Sequence, residues 1–182
     1  MSAPLIIVIV AMLIQQAFAY FTTLVLPNMA PVLYFFSSMG QISCGGFILR
    51  FGAVRMSQVS LTFMGLALMT GYFGALVVFA VSAAFIGLAS SVSTPASSHL
   101  LARYSPPKYA PLIFSVKQTG VPVGGLMAGL LVPVLLGWMD WRGVFIVSGA
   151  LCIGFALLLQ PIRNRFDTDR QPKQSLKPGF IW

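Results

Sequence analysis

MSQVSLTFMGLALMTGYFGALVVFAVSAAFIGLASSVSTPASSHLLA, residues 56–102, runs for 47 residues without a formal charge, bracketed by Arg55 and Arg103. As helix it would extend roughly 70 Å at 1.5 Å per residue. A crossing of the hydrocarbon core takes about 20 apolar residues, so the stretch reads as two crossings. The turn between them falls at GYFG, Gly71–Gly74. The rest of the chain agrees: of 182 residues, 58% are hydrophobic, 8% are charged, and none is glutamate. A soluble domain carries about a quarter charged residues. The class is an all-α membrane protein.

Working outward, six transmembrane helices are expected, over residues 5–26, 32–49, 56–71, 74–102, 111–137 and 144–160. LPNMAP, residues 26–31, separates the first two through its prolines. Residues 1–160 thus form the membrane bundle, and 161–182 a basic linker or tail. With six crossings the cations sort by side. Arg50, Arg55, Arg103, Lys108, Arg163, Arg165, Arg170, Lys173 and Lys177 fall on one side and Arg142 on the other. The positive-inside rule places the first set, and both termini, in the cytoplasm of an inner (plasma) membrane. The basic balance therefore encodes orientation, and nucleic acid is not an expected partner. Ala17-Phe18-Ala19 resembles a signal-peptidase site, but no Lys or Arg precedes the apolar run and the run continues to Leu26. The favoured reading is a retained helix. Cys44 and Cys152 lie within apolar runs and read as small core or lipid-facing residues, not a disulfide framework.

GGFILRFGAVR, residues 45–55, resembles the loop between helices two and three of the major facilitator superfamily. Gly45, Arg50, Gly52 and Arg55 fit that pattern, whereas Leu49 stands where the family has an aspartate. GVPVGGLMAG, residues 120–129, resembles the glycine–proline signature of the family's fifth helix, and GWMDWRGVF, residues 137–145, its outer turn before helix six. The resemblance implies an N-terminal six-helix half built from two inverted three-helix repeats. It implies a solute cavity between this half and another, and a gating role for the loop at Gly45, Arg50, Gly52 and Arg55, weakened by the missing acid. Such a half would be truncated relative to twelve-helix members, since KPGFIW ends where the linker to a seventh helix would run.

The candidate cavity residues are Lys117, Gln118, Gln15, Gln16 and His99. A lysine at the bilayer centre costs at least about 2.5–3.5 kcal/mol on insertion scales. Lys117 has two readings: a stem snorkelling to the headgroups, or a cavity cation for an anionic solute. Gln15 and Gln16 are either substrate contacts or interhelical hydrogen-bonding groups. His99 is either interfacial or proton-linked. Gly120, Pro122, Gly124 and Gly125 read as a close-packing face or as a hinge, with Gly125 and Gly129 a second small-residue face. Thr94-Pro95 is expected to break or kink helix four.

No Asp or Glu falls within a span, and no paired carboxylates, metal-ligand cluster, nucleophile elbow or phosphate loop is present. An enzyme is not expected, nor a cofactor or a metal. The sequence supports a secondary transporter for a small solute working by alternating access in a lipid bilayer, with a second six-helix half or a homodimer as partner. The alternative is a non-transporting membrane protein, or a truncated half that packs with a partner.

Overall fold

The computed structural model describes residues 3–42 and 44–167. Among these the regular structure is all helical. The helices are α1 (Ala3–Val25), α2 (Ala30–Gln41), α3 (Cys44–Phe51), α4 (Ala53–Thr70), α5 (Leu76–Tyr104), α6 (Ala110–Gln118), α7 (Gly120–Trp138), α8 (Trp141–Leu158) and α9 (Gln160–Phe166). Four helical stretches are long and apolar enough to cross a membrane: Ala3–Val25, Leu76–Tyr104, Pro107–Trp138 and Trp141–Arg163. The α2–α3 pair, bent by 63°, is a fifth if counted as one span.

Punctuation follows backbone chemistry. Gly52, at φ 96°, separates α3 from α4, so the stretch expected as a loop at 45–55 is helix with a one-residue corner. Gly74, at φ 71°, ends the turn after α4. Both torsions are ones that glycine adopts without the Cβ penalty. Pro122 lacks an N–H and its ring crowds the carbonyl four residues back, at Gln118, which is where α6 stops before α7 resumes at Gly120. Pro95, by contrast, sits inside a continuous α5, so of the break or kink expected at Thr94-Pro95 the break is absent. A long apolar helix packed on several sides tolerates one missing backbone bond.

Two apolar clusters mark the two ends of the bundle. One gathers Leu5, Val8, Ile48, Val54, Leu100, Leu101, Ile113 and Phe166. It lies beside Arg50, Arg55, Arg103 and Arg163, so the structure brings those bases to one end. The other gathers Leu26, Leu33, Leu68, Ala83, Ile86 and Phe145. Near it Arg142 lies over the rings of Tyr72 and Trp141, 5.8 and 5.2 Å from their centroids. The outer face of α7 is apolar and bare, with Leu126 and Leu130 each 63% exposed.

Close helix contacts are made at glycines. A methyl group at Gly120 would lie 2.6 Å from the Leu13 carbonyl oxygen, and one at Gly124 would collide with that of Ala17. This joins α7 to α1. Gly87 on α5 meets the Leu33 carbonyl of α2 in the same way. Gly65 and Gly149 face each other across α4 and α8: a methyl at either would meet the other's carbonyl oxygen, at 2.7 and 2.5 Å. Gly125 has only side-chain atoms near it, at 3.7 Å and beyond, and Gly129 has none within 4 Å. The 120/124 face is therefore used within the bundle and the 125/129 face is not.

Gly124→Ala is expected to lower stability by about 1–3 kcal/mol through overpacking. Gly129→Ala should be neutral or slightly stabilising, because alanine is the better helix former. Equilibrium unfolding in mixed micelles checks this, and equal effects at the two sites would contradict the packing assignment.

Candidate functional site

Buried polar side chains from three helices meet one stretch of α5, SSVSTPASSH (residues 90–99). Ser93, Thr94, Ser97 and Ser98 recur there at one- and three-residue steps, so they cover adjoining faces of the helix. From α1, Gln15 is fully buried and its Nε2 donates to the Ser93 carbonyl at 3.4 Å. From α4, the Ser60 hydroxyl donates to the Ala89 carbonyl at 2.6 Å and lies 3.0 Å from that of Ser93. From α6, Lys117 reaches across to donate to the Thr94 carbonyl at 3.3 Å and the Ser98 hydroxyl at 3.2 Å.

Lys117 is 2% exposed. Its ammonium turns into the bundle rather than up to the headgroups, so the snorkelling geometry is not the one adopted. Both hydrogen-bond partners are neutral. The described acids are elsewhere: Asp140 begins α8 and Asp167 lies at the start of α4. An ammonium held by two neutral oxygens retains a third N–H and an uncompensated charge. On α1, the buried Oε1 atoms of Gln15 and Gln16 have no hydrogen-bond partner. An unmet acceptor of this kind costs about 1–3 kcal/mol.

The structure separates the remaining candidates. Gln118 is exposed, on a different face of α6 from Lys117. Gln16 is half-buried on α1, its Cβ close against Gly120. His99 is half-buried next to Ser98. Two cavities of about 470 and 500 Å³ have mainly apolar walls, and none of these five residues lines either one. Sequence reasoning passed over Ser60, Ser93 and Thr94 as members of the site. The run of serines around Pro95 was the available signal, since clustered hydroxyls in a membrane helix are either interhelical bonds or site groups.

At the charged end, Arg50 lies over the Phe51 ring at 5.5 Å and Gly45 faces open space. Arg55 is exposed, but its backbone N–H donates to Asp167 Oδ2 at 2.9 Å, and that of Val54 donates to Oδ1 at 2.9 Å. Asp167 falls within what the sequence suggests is a linker. The described part of that stretch, 161–167, includes the buried Phe166 and Asp167; residues 168–182 lie outside the described residues.

Long apolar helices joined at glycines around a polar seam define an integral membrane protein. The sequence model of the Major Facilitator Superfamily matches residues 1–180, and the chain belongs to that superfamily. Solved structures of a bacterial homologue of the human lysosomal transporter Spinster share the fold. The inward-facing, occupied form superposes with a TM-score of 0.59 and the inward-facing, unoccupied form with 0.63, each at 19% identity. In both cases the match covers 96% of this chain and 46% of the other. The chain thus spans just under half the length of the structures it resembles. No curated protein sequence matches it.

Lys117→Met keeps the side chain's bulk and removes the buried charge. It is expected to raise thermal stability in detergent by about 1–3 kcal/mol, while Ser98→Ala should lower it by about 1 kcal/mol. A loss of stability in Lys117→Met would mean that the ammonium is a structural tie.

Proposed function

We propose that this chain is one six-helix half of a transporter that moves a small organic anion by alternating access, with Lys117 as the solute-recognising cation. The observation that carries the reading is the buried ammonium with neutral partners. A structural role would be better served by an apolar side chain or a paired charge, and charged groups held within a membrane bundle mark solute pathways. Gln15 and Gln16 supply unmet acceptors on α1, Gln118 faces the partner bundle, and His99 lies toward the cytoplasmic mouth. The second bundle is a further six-helix half or a second copy of this chain. Gly120, Pro122, Gly124 and Gly125 let the α6–α7 helix bend as the bundles rock, and Gly45, Arg50, Gly52 and Arg55 gate the cytoplasmic side.

Six crossings are the count that this mechanism needs, with α2–α3 and α6–α7 each one span and α4 the third. Two inverted three-helix repeats are supported by the packing. In each triplet the middle helix comes in two pieces, α2 and α3 in the first and α6 and α7 in the second. The α1–α7 contact has its counterpart in α5–α2, and the α4–α8 contact is reciprocal at Gly65 and Gly149. The clustering of Arg50, Arg55, Arg103 and Arg163 opposite Arg142 supports cytoplasmic termini. A bacterial inner membrane is the location in keeping with this orientation.

A panel of small carboxylates, phosphates and neutral solutes tests the reading by thermal shift on the purified chain. A ligand at 100 times its Kd stabilises by about 2.7 kcal/mol. An anion should do so for the wild type and not for Lys117→Gln, and the same anion should enter liposomes containing the chain and its partner bundle. Stabilisation by neutral solutes alone, undiminished in Lys117→Gln, would refute the role of the lysine.

A further inference from the structure

The sequence from Gly45 to Arg55 carries two bases and no acid, yet a carboxylate is docked against it. Asp167 arrives from 113 and 112 residues away to accept the Val54 and Arg55 N–H groups, both at 2.9 Å. These are two of the N–H groups that the first turn of a helix cannot satisfy internally. A negative charge there is also favoured by the helix dipole. Asp167 is 5% exposed. The corner at Gly52 is shaped to receive it: φ is 96°, and a Cβ would sit 2.6 Å from Oδ2 and closer still to Cγ. Residues other than glycine are thus disfavoured there by torsion and by space together.

The neighbouring contacts make this more than a cap. Phe166 is 2% exposed and stands edge-on to Tyr104, with ring centroids 5.1 Å apart. It belongs to the cluster that includes Ile48 of α3, Val54 of α4 and Leu101 of α5. One helical turn back, Gln58 on α4 donates to the Ala156 carbonyl at 3.0 Å and the Gln160 side chain at 2.8 Å. The segment after α8 is therefore tied to the charged end of the bundle by a polar bond, a buried ring and a charged cap in succession.

We propose that Phe166 and Asp167 form an intramolecular clasp that supplies the acid missing from the 45–55 stretch. The clasp makes the mobility of the α3–α4 corner depend on α9, the segment that follows α8. A displacement of α9 would withdraw the ring and the carboxylate together, leaving the α4 amides unmet and the corner free to open. The corner's identity as a gate rests on the transport reading; the clasp does not, because it is measured without solute.

Hydrogen exchange on the full chain in nanodiscs, resolved by peptide, tests it. Asp167→Ala should raise exchange of the Val54 and Arg55 amides about tenfold, and should also raise exchange across 47–51 in α3, with α7 unchanged. Asp167→Asn, which keeps one acceptor and the size of the side chain, should fall between, and it serves where the alanine variant does not fold. Gly52→Ala should reproduce the alanine result by evicting the carboxylate. Unchanged exchange at 54–55 would overturn the clasp. A rise confined to 54–55, with 47–51 still protected, would overturn the coupling and reduce Asp167 to a helix cap.

Discussion

Backbone contact at glycine holds this bundle together. In hydrocarbon, burying an apolar side chain gains little, because lipid tails are as apolar as leucine. Helices associate through close van der Waals contact, and the closest approaches run through Gly120 and Gly124 onto α1, Gly87 onto α2, and Gly65 against Gly149. The long apolar side chains that remain outside, such as Leu126 and Leu130, are free to face lipid or another bundle. The positions of the polar groups follow from this frame, since the glycine contacts fix which faces of α1, α4, α5 and α6 look inward.

The polar seam on α5 is the energetic counterpart. Hydroxyl groups there bond back to their own helix, as Ser97 does to the Ser93 and Thr94 carbonyls at 2.8 and 2.9 Å, and so carry little cost. Lys117 differs. Two hydrogen bonds to neutral oxygens do not replace the hydration of an ammonium. The unmet oxygens of Gln15 and Gln16 add to the strain.

Much of the fold was legible in the sequence. The charge-free run at 56–102 marked α4 and α5, and the prolines at 27 and 31 marked the turn between α1 and α2. The cations sort by side from hydropathy and spacing alone. Local rules failed at specific points. Thr94-Pro95 allows a break or a kink by its own chemistry, and α5 runs through it unbroken. Gly120 and Gly124 were recognisable by spacing, while Gly65, Gly87 and Gly149 were not, because each meets a partner on a helix distant in the chain. Lys117 was conspicuous by composition, but the direction of its side chain depended on where α5 lies.

The sequence by itself determined an all-helical membrane chain, the order of its apolar segments and the polarity of its two ends, since hydropathy and charge act locally through the bilayer. Tertiary structure alone decided that Lys117 turns inward to Ser98 rather than outward to lipid. It alone brought Asp167 to the start of α4. Both are contacts between helices whose relative placement is set by backbone packing at glycines, and that is a property of pairs of surfaces which no single stretch of sequence contains.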